Sequence, residues 1–327
     1  MTKSANIPFA LALSLFFLCA NAQADYSETP AGKKFIAEMV VEHNLNSADV
    51  TAVLRKAKRN DRVLELISKP AEKRLEWKGY RKIFLTEERI NAGVEFWLEN
   101  QAILAKAEKE YGVPASVIVA IIGVETFYGR IGGGFRAIDA LSTLAFEYPP
   151  RARFFRSELA QFFLLAKEEQ LDIEELEGSY AGAFGMPQFI SSSYRQYAID
   201  FDGDNQHDLW TSVPDVVGSV ANYLKRHKWK PGQAVVEQVE ITAAARELVV
   251  DNPRPRTTRG SLENAGIYPK RKGTGKYSLL ELQAETGTEH WLAHHNFYVI
   301  TRYNHSNLYA MAVHQLSQKI KSRKTAR

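Results

Sequence analysis

Apolar residues recur three and four positions apart through most of the first two thirds of the chain, which predicts a succession of amphipathic helices. Two short ones are expected over 31–45 and 48–58, the second with Ser47 as its N-cap. A longer one is expected after Thr86, carrying Ile90, Val94, Trp97, Leu98 and Ala102 on one face and ending near Gly112, with Pro114 just beyond. Pro114 then suits the first turn of a helix whose body, Val117-Ile118-Val119-Ala120-Ile121-Ile122-Gly123-Val124, is unusually apolar and closes on Glu125. Residues 153–168, with Phe154, Phe155, Leu159, Phe162 and Phe163, predict another helix, and 213–227 one more. The period shortens after Trp229-Lys230-Pro231-Gly232: Val239 and Ile241 alternate with Gln238 and Glu240, and Asn252-Pro253-Arg254-Pro255 interrupts any long element. A small strand-containing insertion is expected over 231–291, after which helical periodicity returns from Asn307 to Lys321. The fold class expected is therefore mainly α, with an α+β admixture.

With 327 residues and 45% apolar content, the chain is long enough for two or three packed units and is not a disordered polymer. Residues 1–24 read as an export signal: Lys3 supplies the positive start, Phe9 to Leu18 the apolar run, and Ala22-Gln23-Ala24 the cleavage site. The division expected is a signal peptide 1–24, an N-terminal helical domain 25–85, a core 86–230, the strand-containing domain 231–291 and a return to the core over 292–327. Soluble periplasmic export is favoured over lipid attachment at Cys19, the only cysteine, because Leu18 stands where a lipoprotein signal wants a small residue. Cleavage after Ala24 leaves no cysteine for a disulfide. No later stretch reaches the ~20 apolar residues of a membrane helix. The net charge of +4, with acids and bases interspersed, gives nucleic-acid binding little support, although an anionic polymer would be tolerated.

Three constellations carry candidate chemistry. The first is Glu125 with Thr126-Phe127-Tyr128-Gly129 and the loop Gly132-Gly133-Gly134. A carboxyl set against so much hydrocarbon loses hydration as an anion and is expected to keep its proton toward neutrality, as a general acid must. A structural pairing of Glu125 with Arg130 or Arg136 is the competing expectation. Asp139 and Glu147 are the acids nearest in sequence, but neither lies in a comparably apolar run.

The second is Ser179-Tyr180-Ala181-Gly182-Ala183-Phe184-Gly185-Met186-Pro187-Gln188-Phe189. Its small residues permit close backbone approach to a ligand or a neighbouring helix, and Ser179 and Gln188 offer hydrogen bonds to a polar substrate. The third is the acidic loop from Asp200 to Asp208, with acids at its first, third, fifth and ninth positions, Asp200, Asp202, Asp204 and Asp208. That alternation brings oxygen ligands around one hard cation, with Gln206 contributing its backbone carbonyl, and points to calcium in a structural role. Asn205 replaces the usual sharp-turn glycine, a mild departure because asparagine tolerates left-handed geometry, and Thr211 stands where a closing glutamate would be, leaving Asp215 as the closing ligand.

Taken in order, Gly123-Val124-Glu125-Thr126 with Tyr128-Gly129, the Ser179 to Gln188 segment, the acidic loop and Arg302-Tyr303-Asn304 resemble the B-type lytic murein transglycosylases, over about residues 120–310. The resemblance implies a goose-lysozyme-like core and cleavage of the β-1,4 bond between N-acetylmuramic acid and N-acetylglucosamine in peptidoglycan without water, leaving 1,6-anhydro ends. It implies that Glu125 acts first as acid and then as base, that Ser179 helps position the substrate's acetamido group, and that Gln188, Tyr223, Tyr303, Asn304 and Tyr309 line the sugar cleft. It also supports Asp215 as a metal ligand and calcium as the only cofactor. Packing with satisfied hydroxyls is the ordinary fate of helical tyrosines and competes with a cleft role for Tyr223, Tyr303 and Tyr309. The family often carries two arginines where this chain has Pro150-Arg151, so Arg151 alone is the candidate for carboxylates of the peptide stem.

Other chemistries fit poorly. His290 and His294 are spaced like zinc ligands, but Trp291 occupies the place of the glutamate, and Ser179 lacks the setting of a hydrolase elbow. The C-terminal Lys319, Lys321, Arg323, Lys324 and Arg327 suit a solvated helix end that could also meet wall polymers. Partners expected are peptidoglycan strands and other cell-wall enzymes. A water-using muramidase and a non-catalytic, calcium-stabilised peptidoglycan-binding protein are the alternatives, and exolytic and endolytic action stay open.

Overall fold

The computed structural model describes residues 25–69, 74–271 and 275–326; the proposed signal peptide and Cys19 lie outside them. Helix α1 (Pro30–His43) starts on Thr29, whose Oγ1 accepts from Gly32 N at 3.0 Å. In α2 (Ser47–Lys56) the cap is Asn46, not Ser47: Asn46 Oδ1 accepts from Ala48 N at 2.7 Å, and Ser47 becomes the first helical residue. Helices α3 (Asp61–Ser68) and α4 (Trp77–Phe84) complete the N-terminal region, whose buried Phe35, Leu54, Trp77 and Tyr80 belong to the same hydrophobic core as the rest of the chain.

The long helix expected after Thr86 is broken in two, α5 (Glu87–Glu99) and α6 (Gln101–Tyr111). The break falls at Asn100, which leaves helical geometry (φ −112°, ψ 25°) while its backbone N and its side-chain Nδ2 both donate to Phe96 O, at 3.1 Å and 2.9 Å. The break turns the apolar face: Ile90 and Val94 are buried as expected, but Leu98 is 45% exposed and Leu104 and Ala107, not Ala102, carry the buried face of α6.

Helix α7 (Ala115–Thr126) is buried at every position except Glu125, and α5, α6, α11 (Val213–Arg226) and α14 (Asn307–Thr325) all pack on it. A helix apolar on all sides can only sit at the centre of the core. Around it lie α8 (Ala137–Glu147), α9 (Ala152–Glu168) and α10 (Ser191–Tyr197). Two short antiparallel ribbons brace the loops between them: β1 (Phe135–Arg136) with β2 (Glu177–Gly178), and β3 (Ala183–Phe184) with β4 (Phe189–Ile190).

The region after Pro231 holds strand β5 (Val236–Val239), the short helix α12 (Arg259–Asn264), and strands β6 (Ser278–Ala284) and β7 (Gly287–Ala293), the strands forming a sheet in the order β5-β7-β6. Its two faces have different partners, as a period of two dictates. Leu279 and Leu292 face a small second core with Ala245, Leu262, Ile267 and Tyr277, whereas Leu280, Leu282 and Ala293 join the main core. The short helix α13 (His295–Ile300) then returns the chain to α14.

Candidate active site and acidic loop

Glu125 occupies the last turn of α7, half-buried where every preceding residue of the helix is buried. The chain reverses at once: Phe127 (φ 51°) and Tyr128 (φ 61°) are both left-handed, and their amides bond Gly123 O at 3.1 Å and Ile122 O at 3.3 Å. Two successive bulky residues in that region are strained. The strain is held by Tyr128, whose buried hydroxyl donates to Arg89 O at 2.9 Å. Gly123 makes room for that ring, since a Cβ there would stand 2.5 Å from the Tyr128 hydroxyl.

A partner of Glu125 comes from the far end of the chain. Tyr309, in the first turn of α14, donates its hydroxyl to Glu125 Oε1 at 2.5 Å. Burial first, and then the charge of Glu125, hold the Tyr309 hydroxyl well above its ordinary pKa, so it stays a neutral donor. Beside it, Tyr303 lies near-parallel, its ring centroid 6.3 Å away, and its hydroxyl donates to Pro187 O at 2.6 Å. Tyr223 packs on Tyr303 at 4.8 Å and donates to Arg302 O at 2.5 Å. All three hydroxyls are thus satisfied within the protein. Tyr223 and Tyr309 are 6% and 2% exposed, which makes their rings the wall behind the site, while Tyr303 and Asn304 remain part-exposed.

The Ser179 to Phe189 segment is gripped from two sides. Thr126, next to Glu125, donates from Oγ1 to Met186 O at 2.8 Å, and Tyr303 holds the neighbouring Pro187 carbonyl. The small residues serve close approach to the protein itself: Gly182 faces Leu141 of α8, and Gly185 (φ 65°) abuts the Leu209 carbonyl. Ser179 Oγ accepts from Ala181 N at 3.3 Å and Ala183 N at 3.1 Å, tying its own turn, which leaves the hydroxyl hydrogen to donate elsewhere. Gln188, left-handed at φ 50°, donates to Gly185 O at 3.0 Å and lines a cleft of about 490 Å³ with Thr126, Gly129, Gly133, Met186 and Trp210. Arg151 stands apart from this group, exposed, its guanidinium 4.3 Å from the Phe154 ring centroid.

In the acidic loop, Asp200, Asp202 and Asp204 bring one carboxylate oxygen each within 4.8 Å of one another. Asp200 organises the turn by accepting from Gly203 N, Asp204 N and Asn205 N, and these bonds outweigh desolvation to keep its pKa below the ordinary value. Asn205 is left-handed (φ 69°), as its side chain tolerates. Asp208 and Asp215 are outside the three-carboxylate cluster. Asp208 caps the following turn through Trp210 N and Thr211 N, and Asp215, fully buried, accepts from Phe201 N at 2.7 Å and Asp208 N at 2.9 Å, clasping both ends of the loop. Desolvation, and then the charges of Asp202 and Asp200, raise the Asp215 pKa. Three carboxylates this close fit a hard cation.

Arg130 and Arg136, the arginines considered for Glu125, pair with Glu95 at 3.9 Å and Asp139 at 3.3 Å. His290 and His294 bond Glu281 and Glu237, which makes them packing residues of the sheet. Two contributors escaped the sequence reading. Thr126 was visible only as part of a motif, and its tie to Met186 depends on a fold-level encounter. The bond from Met186 N to Leu209 O, 2.8 Å, joins the Gln188 segment to the end of the acidic loop and has no sequence signal at all.

Residues 27–318 match the family model described as the transglycosylase SLT domain. The chain is 42% identical over 308 residues to membrane-bound lytic murein transglycosylase B of Escherichia coli (strain K12), covering 90% of this chain and 84% of that protein. Among solved structures, the E. coli lytic transglycosylase Slt35 in complex with calcium superposes with a TM-score of 0.84 at 41% identity, covering 92% of this chain and 96% of the other. SltB3 from Pseudomonas aeruginosa in complex with NAG-anhNAM-pentapeptide superposes with a TM-score of 0.75 at 28% identity, covering 88% and 78%.

Proposed function

Because the chain belongs to the transglycosylase SLT domain family, an enzyme family acting on peptidoglycan, we propose that this lytic murein transglycosylase cleaves the MurNAc-GlcNAc bond with Glu125 as its single proton-transfer group. The observation that carries the reading is the bond from neutral Tyr309 to Glu125 Oε1, at the open end of an otherwise wholly buried apolar helix. Tyr309 fixes one oxygen of the carboxyl and so orients the group. At the C-terminal end of α7 the helix dipole also disfavours the anion, which suits a group that must begin protonated.

The protonated carboxyl gives its hydrogen to the glycosidic oxygen as the bond to C1 breaks, and the GlcNAc side leaves as an alcohol. The positive anomeric carbon is met by the muramic acid's own acetamido oxygen, with Ser179 donating to and orienting that group. The Glu125 carboxylate then takes the C6 hydroxyl proton as that oxygen bonds C1. The product is a 1,6-anhydro end, the carboxyl is protonated again, and no water is consumed. One carboxyl suffices because the nucleophile belongs to the sugar, unlike the paired carboxylates of an ordinary glycosidase. Gln188 and Asn304 supply polar contacts to sugar hydroxyls, Tyr303 the part-exposed aromatic edge, and Tyr223 and Tyr309 the rigid wall. Arg151 is the candidate for a stem carboxylate.

Asp200, Asp202 and Asp204, with the Gln206 carbonyl and with Asp208 and Asp215 closing the loop, would hold calcium, whose chemistry there is to neutralise the cluster and stiffen the loop. The calcium complex of Slt35 supports this assignment. The division into domains over 25–85, 86–230, 231–291 and 292–327, and export to the periplasm through 1–24, belong to the same reading. No helix among the described residues is long and apolar enough to cross a membrane.

The test is Glu125→Gln assayed on purified sacculi. Turnover should vanish while sacculus binding and the melting temperature persist; retained release of muropeptides, or loss of binding along with turnover, would count against Glu125 as the acid.

A further inference from the structure

A second concave site lies away from Glu125, at the junction of the β-sheet and α13. It encloses about 430 Å³, a volume suited to a small ligand. Lys230, Arg254, Arg271 and Lys276 ring it, and among the described residues no acid lines it. Tyr277, Tyr298 and His294 add ring surface.

The charge here is not offset by neighbouring acids. Some arginines elsewhere meet carboxylates, as Arg59 does with Asp61, Arg195 with Glu168, Arg259 with Glu263 and Arg323 with Glu87. None of the four cations around the cavity has an ion-pair partner among the described residues. A neighbouring carboxylate, Glu237, is turned to other use. It is buried, and its two oxygens take His294 Nε2 at 2.7 Å and Lys270 N at 2.8 Å. That pair holds the His294 ring in place, and Tyr277 sets an edge against it at 5.0 Å. The positive field reaches the interior, since Arg271 adds to the burial that pushes His314 down to about 4. Four exposed cations around a shaped, aromatic-backed hollow suit an anionic ligand.

The hollow and the catalytic wall share one stretch of chain. Tyr298, which lines the hollow, accepts from Arg302 Nη1 at 3.2 Å, and Arg302 O in turn accepts from the Tyr223 hydroxyl behind the cleft. Arg302 therefore links the two sites through hydrogen bonds. A substrate that spans them must be a polymer carrying repeated anionic groups beside its sugars.

We propose that this hollow binds the carboxylates of peptide stems on peptidoglycan and so forms an anchoring site separate from the cleft. The proposal rests on the transglycosylase reading above. Two contacts on one polymer raise residence without a tighter cleft, because the second engagement is intramolecular. Exposed charge pairs of this kind are weakened by salt.

The test compares the full-length parent with Arg254→Gln/Arg271→Gln in co-sedimentation with whole sacculi and with glycan strands stripped of peptides by an amidase. Melting temperatures confirm that the double variant is folded, and Arg254→Lys/Arg271→Lys, which keeps the charge, serves as the conservative control should glutamine disturb the fold. Removing two charges should weaken binding to whole sacculi about tenfold at low salt. Binding to stripped strands and turnover on them should match the parent, the lysine variant should retain most of the affinity, and high salt should bring the parent down to the double variant. Equal binding of parent and glutamine variant to whole sacculi would overturn the proposal, and so would an equal loss on stripped strands. Release of muropeptides by the parent separates the two readings. If the parent releases them and the variants bind alike, only the anchor fails; if the parent releases none, the transglycosylase reading fails with it.

Discussion

Glu125 and the 200–215 loop show two opposite ways of using carboxylates. Glu125 is one acid at the end of a hydrocarbon helix, with a neutral tyrosine hydroxyl on one oxygen. The loop sets several acids in or near solvent and binds them with backbone amides, as when Asp200 takes those of Gly203, Asp204 and Asn205. Amide donors favour the charged form, which is what a cation requires. Hydrocarbon with a neutral donor favours a group that can gain and lose a proton within one catalytic cycle. The residue type is shared; the surroundings decide the chemistry. The regions are joined by one backbone bond, Met186 N to Leu209 O, so the loop can stiffen the cleft without taking part in proton transfer.

Each side of this contrast can be attacked separately. Replacing Glu125 by Gln should lower turnover by about a thousandfold or more, the upper range of general acid–base effects. The matching change in the loop, Asp202→Asn, should leave turnover in saturating calcium within a few-fold; an equal collapse would erase the distinction. Tyr309→Phe removes the hydroxyl that orients Glu125 but keeps the buried ring, and should cost about 10- to 100-fold in kcat with little change in KM. A selective rise in KM would place Tyr309 on the substrate instead.

Stability tests should give smaller effects. Chelation should lower the melting temperature by about 5 °C, reflecting the ~3 kcal/mol that calcium at about 100 times its Kd contributes. The pH profile of turnover should keep its shape, and an unchanged melting curve would argue against a metal in the loop. Burial acting on a base can be read on the helix that carries Tyr309. Desolvation, with Arg271, pushes His314 from 6.5 to about 4. Between those values the unfolded chain binds the extra proton, so this histidine's contribution to stability is intact above pH 6.5 and is lost as pH falls toward 4. That difference amounts to about 3 kcal/mol. His314→Leu should flatten that part of the acid limb in denaturant titrations, whereas a limb identical to the parent's would show that the imidazole titrates normally.

Much of the site was legible because its signals are local. An apolar run ending in a carboxyl, a serine-to-glutamine bend rich in small residues, and alternating acids each announce themselves over a dozen positions or fewer. The loop's Asn205 and its organising Asp200 behave as their types require. What escaped notice depends on non-local packing or on competition for the same bond. Asn100 ends a helix with its side-chain amide and its backbone N both on the Phe96 carbonyl, a local arrangement that periodicity does not register. Asn46, not Ser47, caps α2, and both are good caps. The tyrosines were identified as a group, but only the packing of α11 and α14 shows that Tyr223 and Tyr309 lie in the wall while Tyr303 reaches its edge. The sheet's division between two cores is another such case, since Leu279 and Leu280 are adjacent in sequence and separate in space.

The central claim is that one carboxyl moves a proton within a bound glycan while the sugar supplies its own nucleophile. Mass spectrometry of the fragments released from purified sacculi in isotopically labelled water tests it most directly. Anhydro ends that lack one water and carry no label are expected; reducing ends bearing the label would mean that water, not the sugar, is the nucleophile.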